Sequence, residues 1–329
     1  MNLRVLSLMT LTLMLAACGS GEEEAAKAEA EARAAKAARL AYEGEILAWR
    51  DERLARLTRP DGWLSLVGMH WVTPGSTYVG SAQDNGTRLS VGPAQIGMFT
   101  LDKDGTATLR LHPGVEAEVT IDGQAPQAGA LVTLVPDSRG TPTVVAFNKG
   151  DASFILIERA GRYGLRVRNA FARTRTAFPG LDYFDINPGM RFVAKFDAHP
   201  PGQTVEIVNV LGMIEKMANP GTLTFSAPVK NEAGETVERE FRMQAVDEGD
   251  GRLFFTFADR TSGHETYAAS RMVYADPAGK DGTTVLDFNK AYNPPCAFTP
   301  YSTCPMPLPE NRLDLRVEAG EKKPRPFPE

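Results

Sequence analysis

The densest run of chemistry-bearing side chains lies near the C-terminus. Between Leu286 and Pro305 the chain carries Asp287, Asn289, Tyr292, Asn293, Cys296, Tyr301 and Cys304, with prolines at 294, 295, 300 and 305. A carboxylate, amides and phenols supply many hydrogen-bonding groups in a short span. The two thiols can bond to each other, closing a loop of about nine residues worth roughly 2.5 kcal/mol. Alternatively, Cys296 can act as a nucleophile if a basic partner lowers its pKa, but no histidine is close in sequence. A two-cysteine metal site needs further ligands. No Cys-x-x-Cys or His-x-x-x-His spacing exists, so neither a metal nor a cofactor is expected. Proline fixes φ and removes backbone donors, so this segment reads as a rigid loop rather than a central strand. Such a loop can build a binding site or plug the end of a β structure; the sequence leaves both open.

A second cluster is basic. Arg162, Arg166 and Arg168 lie on or beside one expected strand, and Arg166 and Arg168 share a face because strand side chains alternate. Guanidinium groups on one face suit a carboxylate or phosphate through paired hydrogen bonds. The plainer expectation is salt bridges to Asp182, Asp185 or Glu265. Glu265, Asp287 and Glu310 offer carboxylates for acid–base work of the kind that cleaves glycosides. His70, between Met69 and Trp71, reads as a packed histidine. No Gly-x-Ser-x-Gly, phosphate-loop or dinucleotide motif is present.

The elements that must position these groups are short strands. After Pro60 the chain breaks into alternating runs punctuated by Gly, Pro and Asp, with hairpin signals at Asp104-Gly105 and Asp122-Gly123. The expected class is all-β: a sandwich- or barrel-like body of one large or two packed subdomains, preceded by an N-terminal helix. The halves are set at 60–170 and 185–320, the second carrying the proline-rich loop. Phe178-Pro179-Gly180 and Asn187-Pro188-Gly189 fall between them.

Upstream, Ala, Glu, Lys and Arg dominate, and Glu23–Lys27 and Glu29–Arg33 are i,i+4 pairs. One helix is expected from about Ala25 to Leu57, ended by Thr58-Arg59-Pro60-Asp61-Gly62. Residues 18–39 read as a charged tether. Residues 40–58 read as a docking helix, with Leu40, Leu47 and Leu54 at heptad spacing beside Ile46 and Leu57. These leucines can also mark a coiled-coil dimer, and the oligomeric state stays open.

The start has the layout of a secretion signal over 1–17: Arg4, an apolar run from Val5 to Ala17, then Cys18. The run is too short to span a bilayer. Leu15-Ala16-Ala17-Cys18 resembles the lipobox of bacterial lipoproteins, which implies lipid on Cys18 and anchoring to a bilayer. Gly19, rather than Asp, after that Cys resembles the sorting signal for the outer membrane of Gram-negative bacteria. The body is then expected on the periplasmic face. The formal net charge of −5 argues against general nucleic-acid binding.

The C-terminal run Leu286-Asp287-Phe288-Asn289-Lys290-Ala291-Tyr292-Asn293-Pro294-Pro295-Cys296-Ala297-Phe298 continues to Cys304 and Glu310-Asn311-Arg312-Leu313. It resembles the DUF1684 family of bacterial proteins of unknown function. Asp61 to Gly68, Arg162 to Arg166 and Phe178 to Phe184 add to the resemblance, which spans about residues 46–322. The resemblance implies no reaction. Three functions therefore stand: a binding module for a small polar or anionic ligand or an envelope partner, an envelope hydrolase using carboxylates or Cys296, or a structural envelope lipoprotein. For binding, the candidate residues are Arg162, Arg166, Glu265, Asp287, Asn289, Tyr292, Asn293 and Tyr301.

Overall fold

The structure is a computed structural model that describes residues 9–327, with side chains from residue 24. Residues 1–8 of the expected secretion signal and the Cys18 side chain lie outside what is described. Among the described residues, no helix is long and apolar enough to cross a membrane. The chain forms two compact units, Met1–Arg50 and Asp51–Glu329.

The described part of the first unit is helical. Helix α1 runs Met9–Leu57, so its last turns enter the second unit. Alanine, the best helix former, and i,i+4 pairs such as Glu29–Arg33 at 2.5 Å account for it. Thr58 Oγ1 donates to the Leu54 carbonyl at 2.8 Å and Pro60 follows, which ends the helix. The heptad leucines do not form its buried face. Leu40, Leu47 and Leu54 are exposed, whereas Ile46, Arg53 and Leu57 are buried.

The second unit is all-β and sandwich-like, with no closed barrel. Its first strands are β1 (Leu66–Val72), β2 (Gly75–Gly80), β3 (Thr87–Arg88), β4 (Gly97–Leu101), β5 (Ala107–Leu111), β6 (Val119–Ile121), β7 (Leu131–Thr133), β8 (Val144–Phe147), β9 (Ala152–Arg159) and β10 (Arg162–Asn169). They make two five-stranded sheets, ordered β1-β10-β9-β8-β6 and β3-β2-β4-β5-β7. Alternate residues of both, among them Val79, Phe99, Leu109, Phe154, Leu156 and Leu165, share one core, as in face-to-face sheet packing. Tight turns close the hairpins. Asp122 and Gly123 both have positive φ (49° and 78°), as do Ala160 and Gly161 (49° and 73°), the geometry that two-residue hairpins require.

A single helical turn, α2 (Arg173–Thr176), precedes the remaining strands: β11 (Arg191–Ala198), β12 (Thr204–Val208), β13 (Ile214–Ala218), β14 (Gly221–Lys230), β15 (Thr236–Gln244), β16 (Leu253–Phe257), β17 (Arg271–Ala275) and β18 (Thr283–Asp287). They form a sheet ordered β15-β14-β11-β18 and two hairpins, β12-β13 and β16-β17. Strand β16 is buried along its whole length, as a strand covered on both faces must be. Leu253, Phe255 and Phe257 join the larger core with Phe225 and Phe288. Phe254, on the opposite face, joins a smaller cluster with Ile207, Met272, Cys304 and Leu308. That second face becomes the floor of a cleft.

Candidate functional site

The cleft encloses about 770 Å³ and lies wholly within the second unit. Its floor is apolar, built from Ile207, Met217, Phe254 and Met272. Phe254 and Tyr274 are paired across β16 and β17, so their side chains share the face turned to the cleft. The proline-rich loop supplies one wall. Tyr292 and Met272 exchange backbone hydrogen bonds at 2.8 and 2.9 Å, an isolated antiparallel bridge that ties the loop to β17. Val210 N donates to the Cys304 carbonyl at 3.0 Å and Met306 N to the Val208 carbonyl at 2.8 Å, fixing the loop along β12. Pro295, Ser302, Thr303, Cys304 and Pro305 line the cleft as a result.

Aromatic rings flank the apolar floor. Tyr274 and Tyr292 stack with centroids 6.3 Å apart and planes 11° apart. Burial pushes both phenols above their usual range. The Tyr274 hydroxyl donates to Glu248 Oε2, and the Arg53 guanidinium lies 4.7 Å from the Tyr292 ring centroid. At the rim, Arg159 pairs with Asp137 through two bonds of 2.9 and 2.8 Å, while Glu215 and Lys216 come from β13.

Arg166 is the exceptional group. The register places it between Met69 of β1 and Ile155 of β9. Leu165 and Val167 point the other way, into the sandwich core. Arg166 is only 3% exposed, and its Nε and Nη2 are sealed from solvent without a hydrogen-bond partner. Its guanidinium carbon lies 5.4 Å from the ring centroid of Trp63, which lines the cleft. Burial, reinforced by Arg159 and Arg168, pulls its pKa down to about 10 against the opposing pull of Asp137 and Cys304.

The other sequence candidates disperse. Arg162 is exposed and lies 4.9 Å from the Trp71 ring centroid. Glu265 pairs with Arg316 at 2.7 Å. Asp287 accepts from Asn289 N at 2.9 Å, and the Asn289 side chain bridges Asn187 N and O, both at 2.8 Å. These two residues satisfy loop backbone. Asn293 donates through Nδ2 to the Lys322 carbonyl at 2.7 Å. Tyr301 N donates to Thr299 Oγ1 at 3.3 Å, and its side chain does not line the cleft. Of the eight, Tyr292 lines the cleft and Arg166 sits against its Trp63 wall. Trp63, Arg159 and Tyr274 were not singled out from the sequence as site residues. Trp63 stood in the Asp61–Gly68 motif, but nothing in that motif points it at a cleft.

Cys296 and Cys304 are free thiols in close apposition. Cys296 N donates to Cys304 Sγ at 3.2 Å, and Cys304 N donates to Cys296 Sγ at 3.3 Å. Ser302 Oγ donates to Cys296 Sγ at 3.0 Å. Among the described residues, no group of three or more His, Cys, Asp or Glu side chains is placed to hold a metal ion.

Residues 176–322 match DUF1684, a family described as a protein of unknown function. The match takes in the proline-rich loop, both cysteines and strands β11 to β18. The Asp61–Gly68 and Arg162–Arg166 motifs lie outside the matched residues. An uncharacterized protein of Haloarcula marismortui, whose structure was determined in solution by NMR, is 29% identical over 45% of this chain and 78% of its own, with a TM-score of 0.35. No curated protein matches the chain.

Proposed function

We propose that this chain is a lipid-anchored binding module whose cleft takes a small molecule combining an anionic group with an apolar or aromatic body. The observation that carries the reading is Arg166. An isolated buried guanidinium without a hydrogen-bond partner costs several kcal/mol of desolvation. A carboxylate or phosphate that displaces the Trp63 ring from the guanidinium would supply the missing partner through paired, charge-assisted hydrogen bonds. The apolar floor and the Tyr274–Tyr292 stack suit the remainder of such a ligand.

Titration calorimetry of the full chain with phenyl phosphate and with benzoate tests this. Saturable binding is expected for the anions and not for uncharged benzyl alcohol. Arg166→Met should weaken it about tenfold or more. Binding that is equal in wild type and variant, or absent for both anions, would overturn the reading.

The anchor rests on Arg4, the apolar run and Leu15-Ala16-Ala17-Cys18. Gly19 supports sorting to the outer membrane, with the cleft on the periplasmic face. Cys18→Ser should abolish incorporation of labelled palmitate in cells.

A second reading, an envelope hydrolase, draws on Glu248. Partial desolvation lifts its carboxyl above the usual range, as a general acid requires. Glu248→Gln should then remove turnover of a glycoside substrate.

A further inference from the structure

We propose that Cys296 and Cys304 form a thiol–disulfide couple that exchanges with small disulfides such as oxidised glutathione and closes a 296–304 bond at the cleft wall. Each cysteine's backbone N–H donates to the other's sulfur, at 3.2 and 3.3 Å, so the two residues already hold each other face to face. Prolines at 294, 295, 300 and 305 fix φ along the segment, and its backbone is tied to β12 and β17. The approach of the sulfurs is therefore built into the loop rather than left to chance collision.

The two thiols are not equivalent. Cys296 is half-buried, and Ser302 Oγ donates to its sulfur at 3.0 Å. Cys304 is 5% exposed, and its sulfur lies 3.7 Å from Ser302 Oγ. Cys296 is thus the attacking thiol and Cys304 the resolving one. Hydrogen bonding from Cys304 and Ser302 holds Cys296 well below the usual thiol range. Donation to Cys296, with burial, pushes Cys304 up. A thiolate is the nucleophile in exchange.

The Cys296 thiolate attacks one sulfur of the glutathione disulfide, and that S–S bond breaks. One glutathione leaves as thiolate and takes a proton from water. Cys304 then gives its proton to solvent and attacks the Cys296 sulfur. The second glutathione leaves and is protonated. Two electrons pass from the cysteine pair to the small disulfide, which becomes two thiols. The couple is independent of what the cleft binds.

The test exposes the native full chain to oxidised glutathione, quenches with an alkylating reagent and maps the tryptic peptide 291–312. That peptide contains both cysteines and excludes Cys18. The expected result is loss of both alkylatable thiols, a mass lower by two hydrogens and no retained glutathione. Cys304→Ser should instead trap one glutathione on Cys296. Two thiols that remain alkylatable in the wild type would overturn the proposal. So would a lasting glutathione adduct on the wild type, or first attack by Cys304. The wild-type measurement decides the matter even if a variant fails to fold.

Discussion

Arg53 Nε lies 2.8 Å from Glu321 Oε1, and both side chains are buried. The pair joins the last turns of helix α1 to a residue 268 positions away in sequence. Each partner has a further bond: Arg53 Nη2 donates to the Asn293 carbonyl at 3.0 Å, and Asn293 N donates to Glu321 Oε2 at 2.7 Å. Removing one partner leaves the other charge buried and uncompensated, which costs about 3–5 kcal/mol. Arg53→Ala and Glu321→Ala should each lower the unfolding free energy measured in urea by that amount. The double variant should fall well short of their sum, because the second substitution removes the stranded charge.

Arg166 should behave in the opposite way. Among the described residues, no hydrogen bond or ion pair offsets its burial. Methionine has similar length, no charge, and the apolar neighbours Met69 and Ile155. Arg166→Met should therefore raise stability by about 1–3 kcal/mol in urea denaturation. The same variant should lose anion binding. A site held at the expense of stability predicts both changes together. A destabilised variant would show that the guanidinium is a structural group.

These two arginines also mark what the sequence carries and what it does not. Alternation and turn residues declare the strands, and Asp122-Gly123 forms the tight turn its composition implies. The proline-rich loop is irregular, as missing donors require. Leu40, Leu47 and Leu54, at heptad spacing, are exposed, whereas Ile46 and Leu57 beside them are buried. Local periodicity cannot register a carboxylate 268 residues away, and that partner turns Arg53 inward. The run Leu253 to Phe257 is legible as a strand buried on both faces, yet not which face floors a cleft. Arg166 and Arg168 share a strand face as alternation dictates. That Arg166 there would be covered and left without a partner depends on how other segments pack over it.

Gly320 seats the segment that carries Glu321. Its φ is +77°, and a Cβ there would lie 2.4 Å from the Ala291 carbonyl oxygen and 2.8 Å from that of Phe288. Both obstacles are backbone, so no side-chain rotation relieves them. Gly320→Ala adds left-handed strain to this clash and should cost more than about 2 kcal/mol. The effect should exceed that of Gly212→Ala, where φ is +77° but nothing lies within 4 Å of the added carbon. Comparing the two variants by thermal unfolding separates the clash from the φ penalty.

His70 gives a pH signature. Its Nε2 is sealed without a hydrogen-bond partner, and burial lowers its pKa below the ordinary 6.5. The unfolded chain therefore takes up a proton near pH 6.5 that the folded chain refuses until lower pH. Where the unfolded state binds more protons, stability falls as pH falls. His70 should thus contribute nothing to pH dependence above about 7.5 and should destabilise progressively from pH 6.5 down to its folded pKa. Urea midpoints for wild type and His70→Phe, measured from pH 8 to 5, should run parallel at the alkaline end. They should separate in favour of the variant below 6.5. Parallel curves over the whole range would mean that His70 titrates alike in both states, with its ring reaching solvent in the folded protein.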